Sequence, residues 1–70
     1  MTLATILREE IAKRPVERAM TFPALLQYMR EIKEARADDL ALHSPMFLAF
    51  VAAGEGKVAQ RRDRKWEVKP

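Results

Sequence analysis

The spacing of apolar residues at the start of the chain predicts an amphipathic helix. In "TLATILREEIAKR" the apolar side chains recur at helical intervals, at positions Leu3, Ile6, Leu7 and Ile11. Charged side chains fall on the other side, as expected for a helix that lies on a core. Thr2 is placed to cap the first turn, and Pro15 closes the helix because proline cannot continue it.

A short strand and a second helix follow. In "RAMTF" the alternation of Met20 and Phe22 with polar or small residues predicts a strand. Pro23 then begins a helix, since the missing N–H of proline is tolerated in the first turn. In "PALLQYMREIKEARA" one face of this helix is apolar and carries Leu25, Leu26, Met29 and Ile32.

The segment "DDLALH" allows three interpretations. It could extend the second helix, form a separate helical turn capped by Asp38, or be an ordered loop, and we favour the helical turn. Ser44 then caps a third helix with Pro45 in its first turn. This helix runs through "MFLAFVAAG", and we expect Gly54 to supply the left-handed residue that ends it.

The C-terminal segment predicts a β-hairpin with one apolar side. Residues with alternating character occur on either side of "RRDRK", so a reversal near Asp63 joins two short strands. This register pairs Val58 with Val68 and Gln60 with Trp66.

The order helix, strand, helix, helix, hairpin is that of a winged-helix domain of the α+β class. In that fold the strand before the second helix joins the hairpin, or wing, in a small three-stranded sheet. Seventy residues fall short of the usual ~100 to 150 per domain, so we expect one domain over residues 1–70. A chain of this length buries only about 60% of its unfolded surface, so its core is marginal.

Composition and charge limit the classes of protein and of partner that this sequence is compatible with. Cysteine is absent, and the chain shows neither a signal-peptide pattern nor a transmembrane-length apolar run, so we expect a soluble, cytoplasmic protein without disulfides. Residues 57–70 hold six Lys or Arg and two acidic side chains, a net charge of +4, whereas residues 1–56 hold seven bases and eight acids, a net of −1. This asymmetry indicates an acidic protein surface or a phosphate backbone as the neighbour of the C-terminal segment. A solvated hairpin kept soluble by its charges is the alternative.

The residues that could act as metal ligands, bases or nucleophiles do not form a catalytic or metal-binding set. His43 has no cysteine or second histidine with which to share a metal, and Asp38 with Asp39 does not complete a ligand set. "GEG" ends a helix, whereas a phosphate-binding loop opens one, so it is interpreted as a tight turn. Ser44 is explained by capping. We therefore expect a protein that is not an enzyme and has no cofactor, metal or small-molecule substrate.

DNA reading by the third helix is disfavoured. A recognition helix presents polar side chains to base edges, but residues 45–54 contain no charged or amide side chain. DNA binding through the wing remains open, because its cations could neutralise phosphates without reading sequence. The candidate phosphate-binding residues are Lys57, Arg61, Arg62, Arg64 and Lys65.

The same apolar helix supports two further hypotheses. A helix that is apolar on most of its circumference is either enclosed by the core or placed against a partner, and a domain this small cannot easily enclose it. Trp66 would add an aromatic anchor to such an interface. The alternatives are dimerisation through this face and a purely structural role, in which Phe47, Phe50 and Trp66 fill the core.

The segments "MTFPALLQ" and "MFLAFVAAGEGKVAQRRDRKW" resemble parts of the C-terminal winged helix of the kleisins, the subunits that close the ring of structural-maintenance-of-chromosomes complexes. "MTFPALLQ" is similar to the Thr-Phe-x-x-Leu-Leu element that opens the second helix in that family. "MFLAFVAAGEGKVAQRRDRKW" is similar to the third helix, the following Gly-Lys-Val and the aromatic residue on the second wing strand. The resemblance spans residues 20–68 and is to kleisins of the segregation and condensation protein A type.

The resemblance implies a role in chromosome segregation and condensation, at the nucleoid. In kleisins this domain docks on the ATPase head of the ring protein, so the implied partner is such a head. Carried over to this chain, Leu25 and Leu26 hold the second helix in the core. The implied core or partner-binding positions are Phe47, Leu48, Phe50, Val51, Val58 and Trp66.

Overall fold

The computed structural model describes residues 1–70. The chain begins with two amphipathic helices, α1 (Leu3–Lys13) and α2 (Phe22–Ala35). Each begins at a threonine whose hydroxyl accepts a hydrogen bond from a first-turn amide, Thr2 from Thr5 at 3.2 Å and Thr21 from Ala24 at 3.3 Å. The cap predicted at Thr2 is confirmed. The helix predicted to begin at Pro23 begins one residue earlier, because Thr21 provides the cap.

The early start of α2 shortens the predicted strand. Phe22 is helical, so the segment before α2 keeps only one bridge to the hairpin. In it, the Met20 amide donates to the Trp66 carbonyl at 2.8 Å and the Trp66 amide donates to the Met20 carbonyl at 2.7 Å. The third strand expected from the sequence is therefore reduced to a single pair of hydrogen bonds.

The segment after α2 forms the short helix α3 (Ala37–Leu40), as favoured from the sequence. The capping prediction for it is wrong. Its N-cap position is Arg36, which makes no side-chain capping hydrogen bond, and Asp38 lies inside the first turn. Leu40 at its end is fully buried, so the turn is held by packing more than by a cap.

Helix α4 (Pro45–Gly54) begins as predicted and ends differently. The Ser44 hydroxyl accepts a hydrogen bond from the Phe47 amide at 3.1 Å, which confirms the cap. Gly54 is the last helical residue, and the left-handed residue is Gly56, with φ of 74°. The prediction for Gly54 is therefore wrong by two residues, because the chain makes a further turn before Lys57.

The hairpin consists of β1 (Val58–Gln60) and β2 (Trp66–Val68), paired antiparallel. The predicted register is confirmed, with Val58 opposite Val68 and Gln60 opposite Trp66. In the turn the Arg61 amide donates to the Lys65 carbonyl at 2.7 Å, and Arg64 adopts a positive φ of 67°. Such a turn, with a left-handed residue before the second strand, is common in hairpins with short loops.

One hydrophobic core lies between α1, α2, α4 and the hairpin. Seven of its large side chains are almost completely enclosed: Leu7, Ile11, Leu25, Met29, Ile32, Leu40 and Leu48. The α+β class is confirmed, with four helices and a two-stranded sheet. None of the four helices combines the length and the apolar character needed to cross a bilayer.

One acidic side chain is buried beside this core. Glu10 on α1 is 3% exposed and accepts hydrogen bonds from Lys13 Nζ at 3.1 Å and Arg36 Nη1 at 3.2 Å. Arg36 also pairs with Glu9 and Asp39, so it joins α1 to the α2–α3 junction. This cluster compensates the burial of a carboxylate that the apolar pattern of α1 does not reveal.

Candidate functional site

An apolar groove of about 320 Å³ lies on the surface of the fold. It runs between the first turn of α2, one face of α4 and the second strand of the hairpin. All of its lining residues are apolar: Phe22, Leu25, Met46, Ala49, Phe50, Ala53 and Trp66. We call this surface the α2/α4 groove.

Two buried residues form the floor of the groove, and two aromatic rings form one of its walls. Leu25 and Ala49 are buried and form its floor. Phe22 and Trp66 form one wall, with ring centroids 5.7 Å apart and planes tilted by 46°, an arrangement favourable to aromatic pairs. The backbone bridge between Met20 and Trp66 fixes this wall, because it ties β2 to the residue two positions before α2.

The opposite wall is an open helix face. Phe50 is 70% exposed and Met46 is 48% exposed, and Ala53 continues the same face one turn later. These positions follow the i, i+4, i+7 spacing of one side of a helix. An exposed phenylalanine beside an all-apolar groove is the feature that distinguishes this face from the rest of the surface.

The structure divides the six partner-binding candidates into core and surface positions. Leu48 and Val58 are 0% and 3% exposed, so they are core residues and cannot contact a partner. Val51 packs against the core, and Phe47 lies outside the groove. Only Phe50 and Trp66 line the groove.

Five groove residues were not among the candidates from the sequence: Phe22, Leu25, Met46, Ala49 and Ala53. The i, i+4, i+7 spacing of Met46, Phe50 and Ala53 in the sequence indicates that they share one helix face, which forms one wall of the groove. The sequence pattern places Phe22 in a strand and therefore gives no indication that it lines the groove with Phe50. The correct start of α2 is what brings Phe22 to the groove.

Phe47 belongs to a separate apolar patch. Its ring stacks on His43, with centroids 5.3 Å apart and an angle of 20° between planes. Leu42, in the same loop before α4, is 97% exposed. The single histidine is thus a stacking residue beside the start of α4.

The charged side chains of the hairpin are unevenly neutralised. Arg61 pairs with Asp63 at 3.4 Å and with Glu67 at 3.6 Å, so it holds both acidic side chains of the hairpin. The other turn cations, Arg62, Arg64 and Lys65, are exposed and have no carboxylate within ion-pair distance. Lys57 donates to the Pro70 carbonyl at 3.0 Å. Of the five phosphate-binding candidates, the three in the turn are therefore free.

No group of three or more His, Cys, Asp or Glu side chains is arranged to hold a metal ion. Ser44 is engaged in capping α4. The groove itself has no polar side chain in its lining. What the surface offers chemically is apolar contact area beside a cluster of free cations.

Comparisons of this chain with protein-family models, with curated proteins and with solved structures find no match. The function of this chain is therefore inferred from the geometry of the groove and of the hairpin.

Proposed function

We propose that this chain is a winged-helix module that docks on another protein through the α2/α4 groove. The observation that carries the proposal is the groove itself: seven apolar residues line it, and Phe50 stands 70% exposed at its edge. Contiguous exposed apolar surface rimmed by polar residues is typical of protein interfaces. The winged-helix assignment is supported by the order of elements and by the bridge that attaches Met20 to the wing.

The exposed side chains of α4 favour a protein, and not the bases of DNA, as the partner. The exposed face of this helix carries Met46, Phe50 and Ala53, none of which can hydrogen-bond to a base edge. The lining also lacks the few placed polar groups by which small-molecule sites orient a ligand. A purely structural role for these side chains is disfavoured, because Phe50 is largely outside the core.

We further propose an ATPase head of a structural-maintenance-of-chromosomes complex as the partner, with a role in chromosome segregation and condensation. This more specific proposal is supported by the kleisin resemblance over residues 20–68. The groove adds a physical reason, since Phe50 and Trp66 are the two of the six partner-binding candidates that line it.

The test is co-purification with the ATPase head domain from the same organism. Phe50→Asp and Trp66→Ala are each expected to reduce head capture at least tenfold, because both remove apolar contact at the groove. Leu42→Asp is the matched control: it also removes an exposed apolar side chain, but one that does not line the groove. Circular dichroism spectra confirm that each variant is folded.

Two results would contradict the proposal. Head capture that survives both groove variants excludes the groove as the docking surface. Absence of capture by the unaltered chain excludes the head as its partner.

A second function has one observation in its favour. The three free cations of the wing turn, Arg62, Arg64 and Lys65, could neutralise DNA phosphates without reading sequence. Salt-sensitive binding of duplex DNA that disappears when all three are changed to glutamate supports this alternative.

A further inference from the structure

A cationic hairpin turn adjoins one wall of the apolar groove along the chain. Arg64 and Lys65 immediately precede Trp66, a wall residue, and Arg62 lies in the same turn. The Arg64 carbonyl accepts a hydrogen bond from Gln60, which is the cross-strand partner of Trp66. The free cations of the wing therefore lie in the turn that directly precedes the groove residue Trp66.

The two helices that border the groove add to this field. Phe22 and Leu25 lie in the first turn of α2, and Met46 lies in the first turn of α4. Helix N-termini carry partial positive charge, and neither first turn contains an acidic residue to offset it. The acidic side chains of the hairpin are both held by Arg61. The groove lining contains no acidic side chain, and residues 61–65 of the hairpin turn keep a net positive charge although they include Asp63.

The shape of the groove fits a helix. The open wall from Met46 to Ala53 is about 10 Å long at 1.5 Å per residue, which is the length of two helical turns. Amphipathic helices bind such grooves through apolar side chains at i, i+3, i+4 and i+7 spacing. Their flanking positions then lie at the rim, one side of which adjoins the cationic hairpin turn.

We infer that the α2/α4 groove binds an acidic amphipathic α-helix of a partner protein, with the apolar face of that helix in the groove and its carboxylates against the wing. This inference rests on the proposed docking function and adds the chemistry of the partner segment. A second copy of this chain is a poorer occupant, since the face of α4 carries no acidic side chain to meet the wing.

Binding can be measured with synthetic helical peptides of about 15 residues that contain no tryptophan, because shorter isolated helices are marginal in water. The acidic peptide has leucine at i, i+3, i+4 and i+7 and glutamate at flanking positions. One matched peptide has lysine in place of glutamate, and another has serine in place of leucine. Trp66 is the only tryptophan of the chain and lines the groove, so its fluorescence reports occupancy directly.

We expect the acidic peptide to bind at least tenfold more tightly than the lysine peptide at low salt, with a smaller ratio at high salt. The serine peptide is expected not to bind. In the triple variant Arg62→Glu, Arg64→Glu and Lys65→Glu the preference is expected to reverse.

Two control variants separate the contributions. Phe50→Asp is expected to abolish binding of every peptide. Arg30→Glu combined with Lys33→Glu changes two cations of α2 that do not line the groove, and is expected to leave the preference for the acidic peptide unchanged.

Several results would overturn the inference. These are equal or tighter binding of the lysine peptide, no binding of any peptide, and sedimentation of the chain as a dimer that Phe50→Asp dissociates. A triple variant that loses duplex DNA binding while keeping its preference for the acidic peptide also overturns it, and assigns the wing to phosphate.

Failure of the inference is distinguishable from failure of the docking function. If head capture is lost in Phe50→Asp but is unchanged in the triple wing variant, docking through the groove stands and the acidic partner helix is rejected. If head capture survives Phe50→Asp, the docking function itself is rejected.

Discussion

At the scale of single residues, the buried carboxylate of Glu10 is the position with the clearest physical consequence. Burial disfavours its charged form, but hydrogen bonds from Lys13 and Arg36 and the positive charges of both outweigh burial and lower the pKa of Glu10. A carboxyl whose pKa is lower in the folded than in the unfolded state stabilises the fold at pH values above its unfolded pKa. This contribution is lost as the pH falls through the folded pKa.

We expect Glu10→Gln to lower the free energy of unfolding by about 1 to 3 kcal/mol at pH 7, the usual contribution of a hydrogen bond to a charged group. The loss is expected to shrink as the pH falls below the ordinary value of about 4.5, because the wild-type carboxyl then becomes protonated too. Urea denaturation between pH 7 and pH 3 measures both effects.

Glu17→Gln is the control for Glu10→Gln, since Glu17 is exposed and forms none of the ion pairs. If the two variants lose the same stability at pH 7, the ion cluster around Glu10 contributes nothing specific.

At the scale of elements, the end of α4 contains two glycines in different conformations. Gly54 is helical, and a β-carbon added there meets no atom within 4 Å. Gly56 also has open space around it, but its φ of 74° lies in the left-handed region that side chains disfavour. The same substitution should therefore have opposite effects at the two positions.

Gly54→Ala is expected to stabilise the protein by about 0.5 to 1 kcal/mol, because alanine loses less conformational entropy in a helix. Gly56→Ala is expected to destabilise it by about 1 to 2 kcal/mol through backbone strain. Thermal melts resolve this difference, since 1 kcal/mol shifts Tm by about 4 to 8 °C in a domain of this size. Stabilisation by both substitutions would show that the chain does not need a left-handed residue after α4.

At the scale of the whole molecule, a small core has to support an exposed apolar surface. Only 14 of the 70 residues are buried, and domains of this length are expected to be stable by about 4 to 10 kcal/mol. The exposed side chain of Phe50 on the groove wall contributes little to that stability. Core and groove substitutions in the same helix should therefore differ sharply.

Leu48→Ala is expected to cost about 2 to 5 kcal/mol, because it leaves a cavity at a fully buried position and removes much of the total stability. Phe50→Ala, two residues away, is expected to change stability by less than about 0.5 kcal/mol, since Phe50 is largely exposed. Urea denaturation followed by circular dichroism measures both. A large loss in Phe50→Ala would mean that its ring contributes to the core and would weaken the case for a docking surface.

Residues governed by local rules were predictable. The threonine and serine caps at Thr2 and Ser44 and the cross-strand register of the hairpin depend on neighbouring residues, and all were confirmed. The errors at Phe22 and Gly54 also have local causes. Thr21 caps α2 one residue earlier than a helix start at Pro23 requires. A second glycine, Gly56, follows Gly54 by two residues and adopts the left-handed conformation.

The sequence by itself determined the helices and the hairpin, their order and the apolar character of α4, because these depend on periodicity, capping residues and composition, whereas the strand predicted before α2 is reduced to one bridge. Only the tertiary structure decided which side of α4 faces inward. Residues 45–54 are apolar all round, so their pattern carries no information about orientation, and the packing of α1, α2 and the hairpin buries Leu48 and leaves Phe50 outside. The pairing of Phe22 with Trp66, and with it the groove, likewise required two distant segments to meet.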